Sequence, residues 1–378
     1  MASFSVGASG SMVGLDIGTD HVRLAQIKAS GSTFVLQKYG VVRLPMGSVV
    51  EGEIVDADAV ASAIRQLMRT TGLGGANVVI GVSNQKVVVR LIDLPYMEDA
   101  ELQGAIKYQA QDYIPIPVEE AILDFQIVGD YMTNADEHMN EVLLVAAQRD
   151  MIDETVQAVE RSGLKLSGID VTPFAVVRGI FGVAPSVLPD ENEAAGEATA
   201  VIHMSAGITN IVVVEKGIPR FTRVSALAAN ELTQAVATAL NVTFDEAEDL
   251  KVRVGLPNVD ESGLGSVMPA DIDPEKARGA QEALEREVSK FIAEIRRSLD
   301  YYLTQSAQVR TIRRVVLTGS GAGLRNLDSY VARGLQTKVE LADAMHWVSV
   351  PPQYQALLEA DRLGATAAIG LAMGGAVA

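Results

Sequence analysis

The chain contains no cysteine, so it has neither a disulfide framework nor a thiolate metal site, which suits a reducing, cytosolic setting. Aromatic residues are scarce at 5%, with a single tryptophan, while hydrophobic residues reach 48% of 378. A large core is therefore available, and Val, Ile, Leu and Ala must fill it. Length alone suggests two or three domains of roughly 150 residues. Positive charge is also in deficit: 31 Lys and Arg against 48 Asp and Glu leave a formal net charge of −17. That balance argues against broad contact with nucleic acid and against a polybasic membrane anchor. No basic, apolar leader opens the chain, and "MASFSVGASGSM" reads as a flexible tail. The longest apolar run, Leu363 to Ala378, is diluted by Gly and Ala and falls short of the ~20 strongly apolar residues of a membrane span. It is expected to be a buried terminal helix. Four histidines assemble neither a Ser-His-Asp group nor a cluster with metal-ligand spacing.

What is present is β-rich at the start. "VGLDIGTDHVRL", Val13 to Leu24, sets an aspartate at the end of a core-like strand and a glycine two residues on. Two further strands reach residue 45. A helix capped by Asp56 or Asp58 then puts Val60, Ile64, Leu67 and Met68 on one face and closes at Gly72. After the strands "NVVIGVS" and "KVVVRLIDLP" the texture changes. A helix capped near Asp99, with Leu102, Ile106 and Tyr113 as its apolar stripe, is expected to stop near Ile114, because Pro115 disfavours helix before it. Two strands and a further helix complete a small α+β unit that reads as an insertion. Residues 185–198, acidic and aperiodic, read as a linker. "VIHMSAGITNIVVV", Val201 to Val214, then repeats the opening rhythm. A shift of 187 aligns Asp16 with His203 and Leu24 with Ile211, as a duplication would. Thr243 and Glu246 have capping-box spacing before a helix that ends at Gly255. A long helix runs from Pro274 to about Ser306.

A strand ending in Asp-Ile-Gly-Thr and followed by a second strand makes a tight hairpin. Its accessible N–H groups and a Thr hydroxyl form a concave anion site. Asp16 at the neck can hold a hydrated Mg²⁺ through water. Two such hairpins face to face would clamp nucleotide phosphates; either one alone is equally an ordinary hairpin with a capping Asp. "TGSGAG", Thr318 to Gly323, is a third glycine site, suited either to close approach of a base or to tight packing.

Taken in order, these parts resemble the actin-like ATPase superfamily. Within it, "GLDIGTDHVRLAQI", "AIKYQAQDYIPIPVEEAILDFQIVG", "FDEAEDLKVRVGL", "EIRRSLDYY" and "VVLTGSGAGLRNLDSYVARGLQTKVELAD" resemble the PilM family of type IV pilus assembly. The resemblance spans nearly the whole chain. It implies an α/β, actin-like two-domain fold with duplicated β-meander and helix cores and a small α+β subdomain inserted in the first domain. The implied first domain is 11–190, with 97–168 inserted and 352–378 returning to it. The implied second domain is 191–351, with a mostly helical 222–306.

Function follows from the same resemblance: an ATP- and Mg²⁺-binding cytoplasmic scaffold, held at the inner face of the membrane through a partner. The resemblance implies the N-terminal peptide of PilN as that partner, with other platform proteins and motor ATPases beyond it and self-association left open. Asp16, Gly18 and Thr19 would form the first phosphate hairpin; Ser205, Ala206, Gly207 and Thr209 the second. Glu248 and Lys251 would meet ribose and adenine, with Gly319, Gly321 and Ala322 against the base. Arg23 would lie near the phosphates or pair with Asp16. Leu94, Tyr108, Tyr113, Ile114 and Ile116 would wall the peptide groove. The second hairpin departs from its relatives by carrying His203, Met204 and Ser205 where an acidic residue and a glycine are usual. Neutral histidine cannot orient metal and water as a carboxylate does, so hydrolysis is expected to be weak or absent. The alternatives are an active ATPase or kinase of this superfamily, or an FtsA-like polymer.

Overall fold

The structure is a computed structural model that describes residues 11–30, 33–183, 196–258, 269–306 and 309–377. Of the expected linker over 185–198, the part before 196 lies outside the described residues. Strands β1 (Met12–Ile17), β2 (His21–Ser30) and β3 (Thr33–Arg43) form an antiparallel meander whose alternation buries Leu15, Leu24, Ile27 and Leu36. Two short strands, β4 (Val49–Val50) and β5 (Glu53–Ile54), lead into helix α1 (Ala57–Thr71). The Asp56 carboxylate accepts from the Asp58 and Ala59 N–H groups at its start, and Gly72 ends it at φ 71°. Strand β6 (Asn77–Val82) then joins β1 in parallel.

The chain now leaves this sheet. Strands β7 (Val87–Pro95), β8 (Ala121–Met132) and β9 (His138–Gln148) make a separate sheet in the order β7-β9-β8, covered by helix α2 (Asp99–Gln109). Helix α2 stops at Gln109 and tightens into a 3₁₀ turn over Ala110–Asp112, short of the expected Ile114. Tyr113 therefore leaves the apolar stripe and is 39% exposed. Helix α3 (Arg149–Ser162) packs on α1, and β10 (Lys165–Val171) pairs in parallel with β6. The inserted unit thus begins with β7 and ends with β9, instead of spanning 97–168. Strand pairing decides membership, and periodicity does not encode it.

Helix α4 (Thr172–Phe181) precedes a second meander, β11 (Glu197–Met204), β12 (Thr209–Glu215) and β13 (Ile218–Ser225). Helices α5 (Ala229–Leu240), α6 (Phe244–Val254) and α7 (Pro274–Gln305) follow, α6 opening on the Thr243–Glu246 capping box. Strand β14 (Thr311–Thr318) then pairs in parallel with β11; helix α8 (Leu327–Leu335) and strand β15 (Lys338–Leu341) close the second lobe. The second sheet runs β13-β12-β11-β14-β15. Strand β16 (Val348–Ser349) returns to β3, making the first sheet β10-β6-β1-β2-β3-β16. Apart from β16, the two orders coincide strand for strand, which is the duplication at the level of topology. Helix α9 (Pro352–Ala360) leads to α10 (Thr366–Val377), buried between β1, β2 and α4.

Candidate functional site

The two glycine hairpins close on each other. In the first, the Gly18 N–H donates to His21 O at 2.9 Å; in the second, the Ser205 N–H donates to Ile208 O at 3.0 Å. A Cβ on Gly207 would fall 2.3 Å from Thr19 Oγ1, so only glycine allows this approach. Between the hairpins lies a cavity of about 50 Å³, lined by Asp16, Gly18, Thr19 and Arg23 of the first lobe and His203, Ser205 and Asn210 of the second. One water needs roughly 10–15 Å³ on this measure and drug-sized sites run to ~300–1,000 Å³, so the lobes stand drawn together.

Charge inside is unevenly spread. Arg23 and Asp16 are register partners, yet the guanidinium pairs with Asp361: Nε to Oδ2 at 2.8 Å and Nη2 to Oδ1 at 2.9 Å. The Tyr39 hydroxyl donates to the same carboxylate. Of the two expected places for Arg23, near the phosphates or paired with Asp16, the second is corrected: its partner is Asp361, and the residue lines the cavity. Burial raises Asp16 to about 6; Arg23 opposes the rise, while Asp361 and Asp20 add to it. Burial lowers His203 to about 4 with help from Arg23, so its ring is neutral, and its Nδ1 has no hydrogen-bond partner. Burial and the Asp361 carboxylate push Tyr39 well above the usual phenol range.

The other expected residues fall into three places. Ala206 O accepts from the Asn230 N–H, and buried Thr209 donates to Leu227 O at 2.7 Å, so both brace the turn from outside the cavity. Glu248 and Lys251 pair at 2.7 Å, and Lys251 Nζ also donates to Thr233 Oγ1 at 2.8 Å. With Thr233 they form a polar group between α5 and α6 in which Lys251 is buried and Glu248 partly exposed, outside the cavity lining. Gly319, at φ 88°, would put a Cβ 2.4 Å from Met204 O, Gly321 packs on the Met204 side chain, and Ala322 is buried in the second core. Those glycines press the turn onto the second hairpin. Of the expected groove wall, Leu94 and Ile114 are corrected to core residues of the inserted unit; Ile116 is half-buried, and Tyr108 and Tyr113 are exposed.

Sequence reasoning missed Asp361, Tyr39, Ser83 and Asn210. A signal existed for one of them: the 187 shift that carries Asp16 to His203 also carries Arg23 to Asn210, the register partner of His203. Among the described residues, no group of three or more His, Cys, Asp or Glu could hold a metal. Asp16 and Asp20 are the carboxylates lining the cavity, and Asp16 would suit a hydrated Mg²⁺ that keeps most of its waters. No helix of the described residues is long and apolar enough to cross a membrane.

Comparison with known proteins follows the same lines. FtsA of Neisseria meningitidis is 26% identical over 279 residues, a match spanning 67% of this chain and 64% of that protein, under two thirds of its length. FtsA of Bacillus subtilis is 23% identical over 372 residues, spanning 90% and 80%. Among solved structures, a chain of a PilM-PilN type IV pilus biogenesis complex gives a TM-score of 0.78 at 24% identity, covering 97% of this chain and 99% of that one. The ethanolamine utilization protein EutJ from Carboxydothermus hydrogenoformans gives 0.54 at 14% identity, covering 96% and 89%. These likenesses establish an α/β, actin-like two-domain fold. The family described as cell division protein FtsA matches residues 200–358. The family described as type IV pilus assembly protein PilM matches residues 14–264, well over half of the chain. The chain belongs to the PilM family of type IV pilus assembly proteins.

Proposed function

We propose that this chain is an ATP-binding scaffold of the pilus assembly platform, held on the cytoplasmic face of the inner membrane by the N-terminal peptide of PilN. The observation that carries the nucleotide reading is the meeting of two glycine hairpins over one cavity, with Asp16 and Arg23 on one wall and His203 on the other. ATP enters as the lobes part. The hairpins closed at Gly18 and Ser205 then hold Thr19 and Gly207 as donors toward the phosphates, Arg23 offsets their charge, and Asp16 would hold hydrated Mg²⁺ through water. Glu248 and Lys251 take the ribose and base, with Gly319, Gly321 and Ala322 beside them. Neutral His203 leaves the second hairpin without a carboxylate to orient metal and water, so hydrolysis is slow or absent. ATP should raise the melting temperature while phosphate release stays far below the ~10 s⁻¹ of an ordinary enzyme. No thermal shift overturns binding; turnover at several per second overturns the scaffold.

Exposed Tyr108 and Tyr113, with half-buried Ile116, support a peptide-docking face on the inserted unit. Anisotropy with a labelled PilN N-terminal peptide should show binding that Tyr108→Ala and Tyr113→Ala weaken. Absence of binding with and without ATP overturns this partner. The FtsA likeness favours a polymer as the second reading, which sedimentation with ATP separates.

A further inference from the structure

Two residues that line the cavity carry buried polar atoms with nothing to bond. His203 Nδ1 and Asn210 Nδ2 are buried without partners, and both residues line it. Leaving such an atom unsatisfied carries its full desolvation penalty. Asn210 is 1% exposed, and its Oδ1 accepts from Ser83 Oγ at 2.6 Å, a bond that crosses from the second lobe to the first. With Oδ1 occupied by Ser83, the amide is held in one orientation and Nδ2 is its remaining donor. A donor of this kind calls for an acceptor from outside the chain.

Position identifies the acceptor. Asn210 stands in the second hairpin where Arg23 stands in the first, each the register partner of the next-to-last residue of the preceding strand, His203 and Asp16. The first lobe thus presents a cation already shared with Asp361, alongside the carboxylates Asp16 and Asp20. The second presents Asn210 and His203, the latter neutral through burial, with no carboxylate lining the cavity from that side. An anionic oxygen reaching the second lobe meets a donor and no repelling charge. A space of about 50 Å³ is a few waters in size, on the scale of one phosphoryl group and not of a nucleotide.

We infer that Asn210, oriented by Ser83, reads the terminal phosphoryl group of a bound nucleoside triphosphate, making it the residue that distinguishes ATP from ADP. This rests on the nucleotide reading above and adds the discriminating contact. The Ser83–Asn210 bond also ties the lobes at that point, so the phosphoryl group is read where the lobes close.

The test is calorimetric titration of the full chain with Mg²⁺-ATP and Mg²⁺-ADP, alongside Asn210→Asp. That change keeps the shape and replaces the donor by a repelling oxygen. The wild type should prefer ATP by about tenfold, as expected for a hydrogen bond to a charged acceptor, and the variant should lose that preference through weaker ATP binding alone. ADP affinity should stay within about twofold, since the deleted contact belongs to the terminal group. An unchanged ATP-to-ADP ratio, or equal weakening of both, overturns the role of Asn210. A wild type that binds both nucleotides equally overturns it too, while the nucleotide site stands. A wild type that binds neither removes the nucleotide reading itself. Should Asn210→Asp fail to melt cooperatively, Asn210→Ser, which shortens the donor, carries the same comparison.

Discussion

Asp16 and His203 hold equivalent places next to the ends of β1 and β11, yet burial moves their proton affinities in opposite directions, because one gains charge on losing a proton and the other loses it. Folding raises Asp16 from 3.8 to about 6, so the folded chain holds an extra proton there and this contribution to stability declines as pH rises through that window. His203 falls from 6.5 to about 4, so its contribution is present above the upper value and is lost as pH falls toward the lower one. In the wild type the two slopes offset each other. Asp16→Asn removes one of them, and its melting temperature should drop more steeply than the wild type's on acidification from about pH 6.5 to about pH 4.5. Parallel melting curves over that range would show that the Asp16 proton is not linked to folding.

At the scale of elements, α10 is the clearest case of composition dictating place. It is apolar on every face, and Ile369, Leu371, Ala372 and Met373 are fully buried. Leu371→Ala should cost about 2–5 kcal/mol in urea unfolding, the range for a large side chain removed from a packed core. Gly370→Ala should cost at least as much, because its Cβ would fall 1.8 Å from the Ala175 carbonyl oxygen. A loss well under 1 kcal/mol for either change would mean that α10 packs loosely. Helix α2 shows the opposite behaviour. Its periodicity continued to Tyr113, but the approach to Pro115 and Pro117 tightened the backbone first and turned Tyr113 outward.

At the scale of the whole molecule, the inserted unit is tied to the second lobe as well as to the first. Arg220 of β13 pairs with Glu141 of β9, and its Nε lies 3.3 Å from Glu215 Oε2, all three side chains being largely buried. On the other side, Val89 and Leu143 of the inserted unit pack with Val171 and Phe174. Arg220→Ala would leave two carboxylates facing each other without a cation and should cost about 3–5 kcal/mol. Hydrogen exchange should quicken in β7, β9 and β13 and stay unchanged in α5 and α7. Unaltered exchange in the inserted unit would mean that the ion group does not hold it.

The sequence by itself determined the two glycine hairpins, the Thr243 cap, the long helix from Pro274, the buried terminal helix and the internal repeat, and narrowed the cap of α1 to Asp56 or Asp58. Each of these is written in short-range spacing, where backbone geometry and burial act on neighbouring residues. Only the tertiary structure decided that Arg23 pairs with Asp361, 338 positions away, that Ser83 reaches Asn210, 127 positions away, and that Gly207 packs on Thr19. The same holds for β7, whose membership of the inserted sheet rests on its pairing with β9. Contacts of this kind depend on which strands lie side by side once both lobes have folded, and no local spacing carries that information.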